Sequence, residues 1–198
     1  MIKNINMKSI IKSIILFSVC AVSLLSCETY SDPKVDYSPT YPISGEWRVR
    51  ITNLSTNALV STSMYTFGTY NTSDNVTNQV WLRTTSAIPS FAPVTTIPRT
   101  LKAKISCDVN NLSFSTTGTT QNTAVTAFSA AYPMNSVVDT VVVTEGKITL
   151  NSVDMPSGVK SDRIYFKLTK TKAPGVTYLV EGYRRTLWNE DESYITFK

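Results

Sequence analysis

The chain is expected to fold as an all-β domain, an antiparallel up-and-down β-barrel of about eight or nine strands. Three observations predict this. Apolar and polar residues alternate in run after run, the period of a half-buried strand. Ser, Thr, Val and Tyr are abundant, whereas glycine is scarce at 7 in 198 residues, a composition that suits pleated surfaces. Short turn clusters separate the runs, so successive strands join as hairpins. A set of this size must hide its edges. Closing the sheet does so fully, and pairing two sheets does so in part, so a β-sandwich is the alternative.

The elements follow in order. Glu46–Thr52 places Trp47, Val49 and Ile51 on one face. Leu59–Tyr70 reads as a strand closed by the turn cluster Asn71–Asn75. Val76–Thr85 carries Val80 and Leu82 on one side and Trp81 on the other. Arg99–Asp108 alternates through Leu101, Ala103, Ile105 and Cys107, and Asn110-Asn111 turns the chain into Leu112–Ser115. The alanines of Thr123–Ala131 give that segment a short-helix reading. Thr140–Thr144 and Lys147–Val153 flank Glu145-Gly146, a hairpin signal. Arg163–Thr171 sets Ile164, Phe166 and Leu168 on one face, and Ala173-Pro174-Gly175 turns into Val176–Leu187. Residues 44–198 therefore form one domain, a size that supports one core.

The first 43 residues read differently. Lys3, Lys8 and Lys12 precede a 12-residue apolar stretch, Ile14–Leu25. That is too short for a span needing roughly 20 apolar residues and fits a signal peptide over residues 1–26. Leu24-Leu25-Ser26-Cys27 resembles the lipobox of bacterial lipoproteins. The resemblance implies cleavage before Cys27, diacylglycerol on its thiol and an acyl chain such as palmitate on its amine. Residues 27–43, rich in proline and polar residues, read as the tether that follows. The expected address is the outer membrane, lipid-anchored, on the periplasmic face or the cell surface.

Charge and cysteine usage exclude other classes. The net charge of +5 is largely the leader's, since 3 of the 19 basic residues and none of the 14 acidic ones lie in it. No basic cluster with interleaved aromatics supports a nucleic-acid partner. With Cys20 in the leader and Cys27 lipidated, Cys107 remains alone and no intrachain disulfide is expected. The chain contains no histidine, which removes Ser-His-Asp and Cys-His arrangements and histidine-ligated zinc. Glu190, Asp191 and Glu192 are the densest acidic group and read as a solvated turn. No catalytic constellation, metal site or cofactor is recognised.

Two further patterns carry resemblance. Gly45-Glu46-Trp47 at the start of the first strand resembles the Gly-x-Trp signature of lipocalins and related barrels. In those barrels the Trp seals one end and a late-strand Arg packs on its face, which here implies Arg184 or Arg185 over Trp47. The mature chain, through the lipobox, the Tyr/Pro/Asp tether, Gly45-Glu46-Trp47, Ser161–Phe166, Gly182–Thr186 and Trp188–Glu192, resembles a family of Bacteroidetes lipoproteins described as lipid-binding putative hydrolases. That resemblance implies a lipocalin-like barrel and an apolar ligand. The functional expectation is a non-catalytic envelope lipoprotein that binds a small apolar or amphipathic molecule, with Trp81, Phe166 and Tyr178 as candidate lining. A surface module for glycans or a protein partner is the alternative, and a hydrolase rests on the family's description alone.

Overall fold

A computed structural model describes residues 34–84, 99–116, 123–127, 137–170 and 173–192, together with Ile11, Ile14, Ile15 and Phe17, which are helical. Residues Met1–Asp36 form one unit and Tyr37–Lys198 another. Among the described residues no helix is long and apolar enough to cross a membrane. Cys27 lies outside the described residues.

The second unit is built from ten strands: β1 (Gly45–Asn53), β2 (Ala58–Leu59), β3 (Tyr65–Asn71), β4 (Gln79–Thr84), β5 (Arg99–Asp108), β6 (Ser113–Ser115), β7 (Thr123–Ala127), β8 (Val137–Asp154), β9 (Lys160–Lys170) and β10 (Ala173–Arg184). Every pairing is antiparallel, and β10 pairs with β1 to close the ring. The short β6 and β7 share one position between β5 and β8, which leaves an eight-stranded barrel with β2 added at the end of β1. Closure removes the free edges that an open sheet of this size would present.

Alternation puts one apolar row per strand inside. Trp47, Val49 and Ile51 of β1, Val80 and Leu82 of β4, and Ile164, Phe166 and Leu168 of β9 are all buried. At mid-barrel Phe166 meets Phe67 and Phe114 edge-on, with centroids 5.8 and 5.6 Å apart. Such aromatic pairs add stabilisation beyond their buried area, about 0.5–1.5 kcal/mol each.

Four expectations are corrected. Glu145-Gly146 is not a hairpin: β8 runs straight through it as an 18-residue strand with a register shift between Thr144 and Lys147. Glu145 takes the left-handed conformation at φ 55°. Gly146 is required because a Cβ there would stand 2.2 Å from the Phe114 carbonyl oxygen. The turn-like dipeptide is thus a bulge that bends the longest strand around the barrel. Ala173-Pro174-Gly175 likewise lies inside β10 as a register irregularity rather than between strands. Thr123–Ala127 is strand β7, held between β5 and β8, so sheet pairing overrides its alanine content. Leu59–Tyr70 divides into β2 and β3.

The end of the expected tether is also part of the fold. Thr40 and Ile43 are fully buried, and Ile43 joins the main core.

Candidate functional site

Among the described residues, the barrel interior carries one cation at each end, in different settings. At the base, β1 begins beside the end of β10, with Trp47 opposite Arg184. The Arg184 guanidinium lies 4.5 Å from the Trp47 ring centroid. Its Nε donates to Asp162 at 2.8 Å, and its two terminal nitrogens donate to the carbonyls of Ser44 and Pro42. The indole Nε1 donates to Thr69 Oγ1 at 2.8 Å, and that hydroxyl donates to the Ile43 carbonyl at 2.6 Å. A Cβ on Gly45 would strike Arg184 Nη1 at 2.1 Å, so the Gly-Glu-Trp spacing leaves room for the guanidinium to lie flat on the indole. Of the two candidate arginines, Arg184 occupies this place. Arg185 points outward, to Glu192 and, at 3.3 Å, to Glu46.

At the opposite end stand Lys170, the last residue of β9, and Tyr178 on β10. Lys170 continues the inward row Ile164, Phe166, Leu168 and is only 6% exposed. Its strand neighbour on β8 is Val141, fully buried. Tyr178 lies between Leu168 on β9 and Asn53 on β1. The Lys170 ammonium is 5.5 Å from the Tyr178 ring centroid, and burial pushes the phenol's pKa upward. Ile51, Leu101, Val141, Val143 and Val180 complete an aliphatic wall in the same core. Chemically, this end combines an aliphatic core with a buried ammonium and a phenol.

The three residues expected to line the ligand site separate. Tyr178 and Phe166 are on the inner wall, Phe166 within the aromatic block at its middle. Trp81 is on the outer face: it is half-buried beside Tyr70, with Lys102 and Lys104 at 4.8 and 5.7 Å from its ring. It faces away from the interior because its neighbours Val80 and Leu82 take the inward positions. Lys170 was missed, although the parity of Arg163–Thr171 carried the signal: a charged residue falls in an otherwise apolar row.

A cleft of about 490 Å³ at the base is lined by Tyr41, Leu150, Lys160, Asp162 and Arg184, among others, and the last two are already bonded to each other. The acidic turn Glu190–Glu192 is structural at Asp191, which is 1% exposed. Burial raises the Asp191 pKa, but hydrogen bonds from the Ser157 and Thr186 hydroxyls and the Ser157 amide outweigh it and hold the pKa below the usual carboxylate range. The phenol of Tyr183 donates to the Asp191 carbonyl. Among the described residues no group of three His, Cys, Asp or Glu side chains could hold a metal ion.

Comparison with known families adds a decisive observation. Residues 32–189 match the model of a family described as lipid-binding putative hydrolase. The chain belongs to this lipid-binding family. The match spans the whole closed barrel, including both of its ends. No curated protein matches the chain.

Proposed function

We propose that this member of the lipid-binding family is a cell-envelope lipoprotein whose barrel binds a lipid-like ligand without transforming it. Family membership and the apolar inner wall, with Lys170 and Tyr178 at one end, support the binding reading. The observation that carries it is the family match over residues 32–189, which spans the whole closed barrel. The absence of histidine from the sequence supports a non-catalytic role. So does the one described serine–carboxylate contact at the base, Ser157 with Asp191: the carboxylate there is engaged by three donors and closes a turn.

The address is proposed from the leader and Cys27, whose acylation would hold the protein at the outer membrane through its lipid chains. Metabolic labelling with palmitate is expected to mark the wild-type chain and to leave Cys27→Ser unlabelled. Equal labelling of both would remove the anchor from the proposal. For the ligand, organic extraction of the purified Cys27→Ser chain followed by mass spectrometry is expected to release a bound amphiphile. A folded sample that releases none and takes up none on incubation with envelope lipids would contradict the binding reading.

A further inference from the structure

We infer that the base of the barrel is a membrane-docking surface, formed by Leu187, Trp188, Tyr37 and Tyr41, that seats in the interface of a zwitterionic lipid bilayer. The inference rests on the proposed membrane address and not on what the barrel holds inside.

Placement points to the base. Among the described residues of the barrel unit, the most exposed large apolar or aromatic side chains are Leu187 at 72%, Tyr37 at 62%, Trp188 at 55% and Tyr41 at 48%. All four belong to this end. Tyr41 and Thr186 line its cleft, Tyr37 stacks on Tyr41 with ring centroids 4.2 Å apart, and Leu187 and Trp188 directly follow Thr186. Exposed apolar side chains gathered in one place mark a contact surface. The Leu-Trp tip is also held in place. The Asp191 carboxylate accepts from the Thr186 hydroxyl and from the Ser157 amide and hydroxyl, and the Asp191 amide donates to the Trp188 carbonyl at 3.1 Å.

The backbone adds a second observation. Leu187 has φ 68°, a left-handed conformation that penalises a leucine and suits glycine or asparagine. At its exposure the side chain gains little burial within the domain to offset that cost. Its retention there points to a contact outside the chain.

The chemistry selects the partner. Tryptophan and tyrosine favour the interfacial layer of a bilayer, where the ring is sheltered and its polar edge stays wet. Lys160 is paired with Asp154, and Arg185 with Glu46 and Glu192, while Glu190 is exposed. Anionic lipid therefore offers this surface no advantage. The chain also enters the barrel unit here, at Tyr37. The ten residues Cys27–Asp36 reach at most about 35 Å from the proposed acyl group, which keeps this end near the bilayer.

The test reconstitutes the full chain into phosphatidylcholine vesicles whose acyl chains carry bromine near the glycerol, where it quenches tryptophan at interfacial depth. Wild type is expected to float with the vesicles and to lose fluorescence, and raising the salt to about 0.5 M should change neither result. Trp188→Phe should float and show little quenching, because Trp47 is buried and Trp81 is on the outer wall. Leu187→Asn should cut the quenching roughly twofold or more and melt at or above the wild-type temperature. Flotation of wild type without quenching, or quenching that persists in Trp188→Phe, overturns the docking surface and leaves the acyl anchor standing. A Leu187→Asn chain that is less stable and equally quenched also overturns it, because the leucine would then serve the fold. Wild type that does not float defeats the membrane address together with the docking.

Discussion

The two ends of the barrel place a cation against an aromatic ring and use it differently. At the base, the planar Arg184 fork is fixed by the Trp47 face, one carboxylate and two carbonyls. Each contact belongs to the chain, so the base is a plug. At the opposite end, the Lys170 point charge lies 5.5 Å from the Tyr178 ring among aliphatic side chains. A fork locked in one geometry suits closure. Between them lies the Phe67–Phe166–Phe114 block.

The comparison breaks most readily at the base. Trp47→Ala removes a fully buried indole and is expected to destabilise the fold by about 3–5 kcal/mol in denaturant titration. An effect below about 1 kcal/mol would show that the plug is not what holds the strands together. Arg184→Met is the next largest. It deprives Asp162 and two carbonyls of their donor and is expected to cost about 1.5–3 kcal/mol, without changing the affinity for a lipid-like ligand. A change in that affinity in a folded variant would mean that the base does more than close the barrel.

Smaller effects sharpen the picture. Burial first, and then the neighbouring Asp108 charge, push the Cys107 thiol up to about 11. The folded chain is therefore expected to react only slowly with a thiol reagent at pH 8, and rapidly once unfolded; fast reaction in the folded state would place Cys107 outside the core. Asp191 supplies the pH-dependent term. Its folded pKa is lowered, so its contribution to stability is fully present above the ordinary carboxylate value near 3.9 and is lost as pH falls through the lowered folded value. Thermal melts of Asp191→Asn are expected to lose part of the acid sensitivity seen in wild type below about pH 4.

Much of this was legible in the residues. Period-two alternation located the inward rows of β1, β4, β5 and β9, because half-buried strands leave that pattern directly. Gly45-Glu46-Trp47 indicated the base, and the arginine pair narrowed its partner to two residues. Choosing Arg184 over Arg185 needed strand parity at the end of β10, which places one inward and the other against Glu46 and Glu192. The errors came from local signals that tertiary pairing overrode. Glu145-Gly146 has hairpin chemistry, yet both of its flanks pair with β9, and Phe114 needs the space that a glycine leaves. Trp81 was named as candidate lining, but its parity gives the inward places to Val80 and Leu82. Hydropathy alone does not single out Lys170, because a charged residue breaks the apolar row of β9 that it continues.

The most direct measurement is a saturation titration of the full chain with a fluorescent long-chain fatty acid, followed by competition with an unlabelled one. Saturation at one ligand per chain, with complete displacement by the competitor, is the expected result. A linear, non-saturating signal that the competitor leaves unchanged would contradict the claim that this barrel houses a lipid.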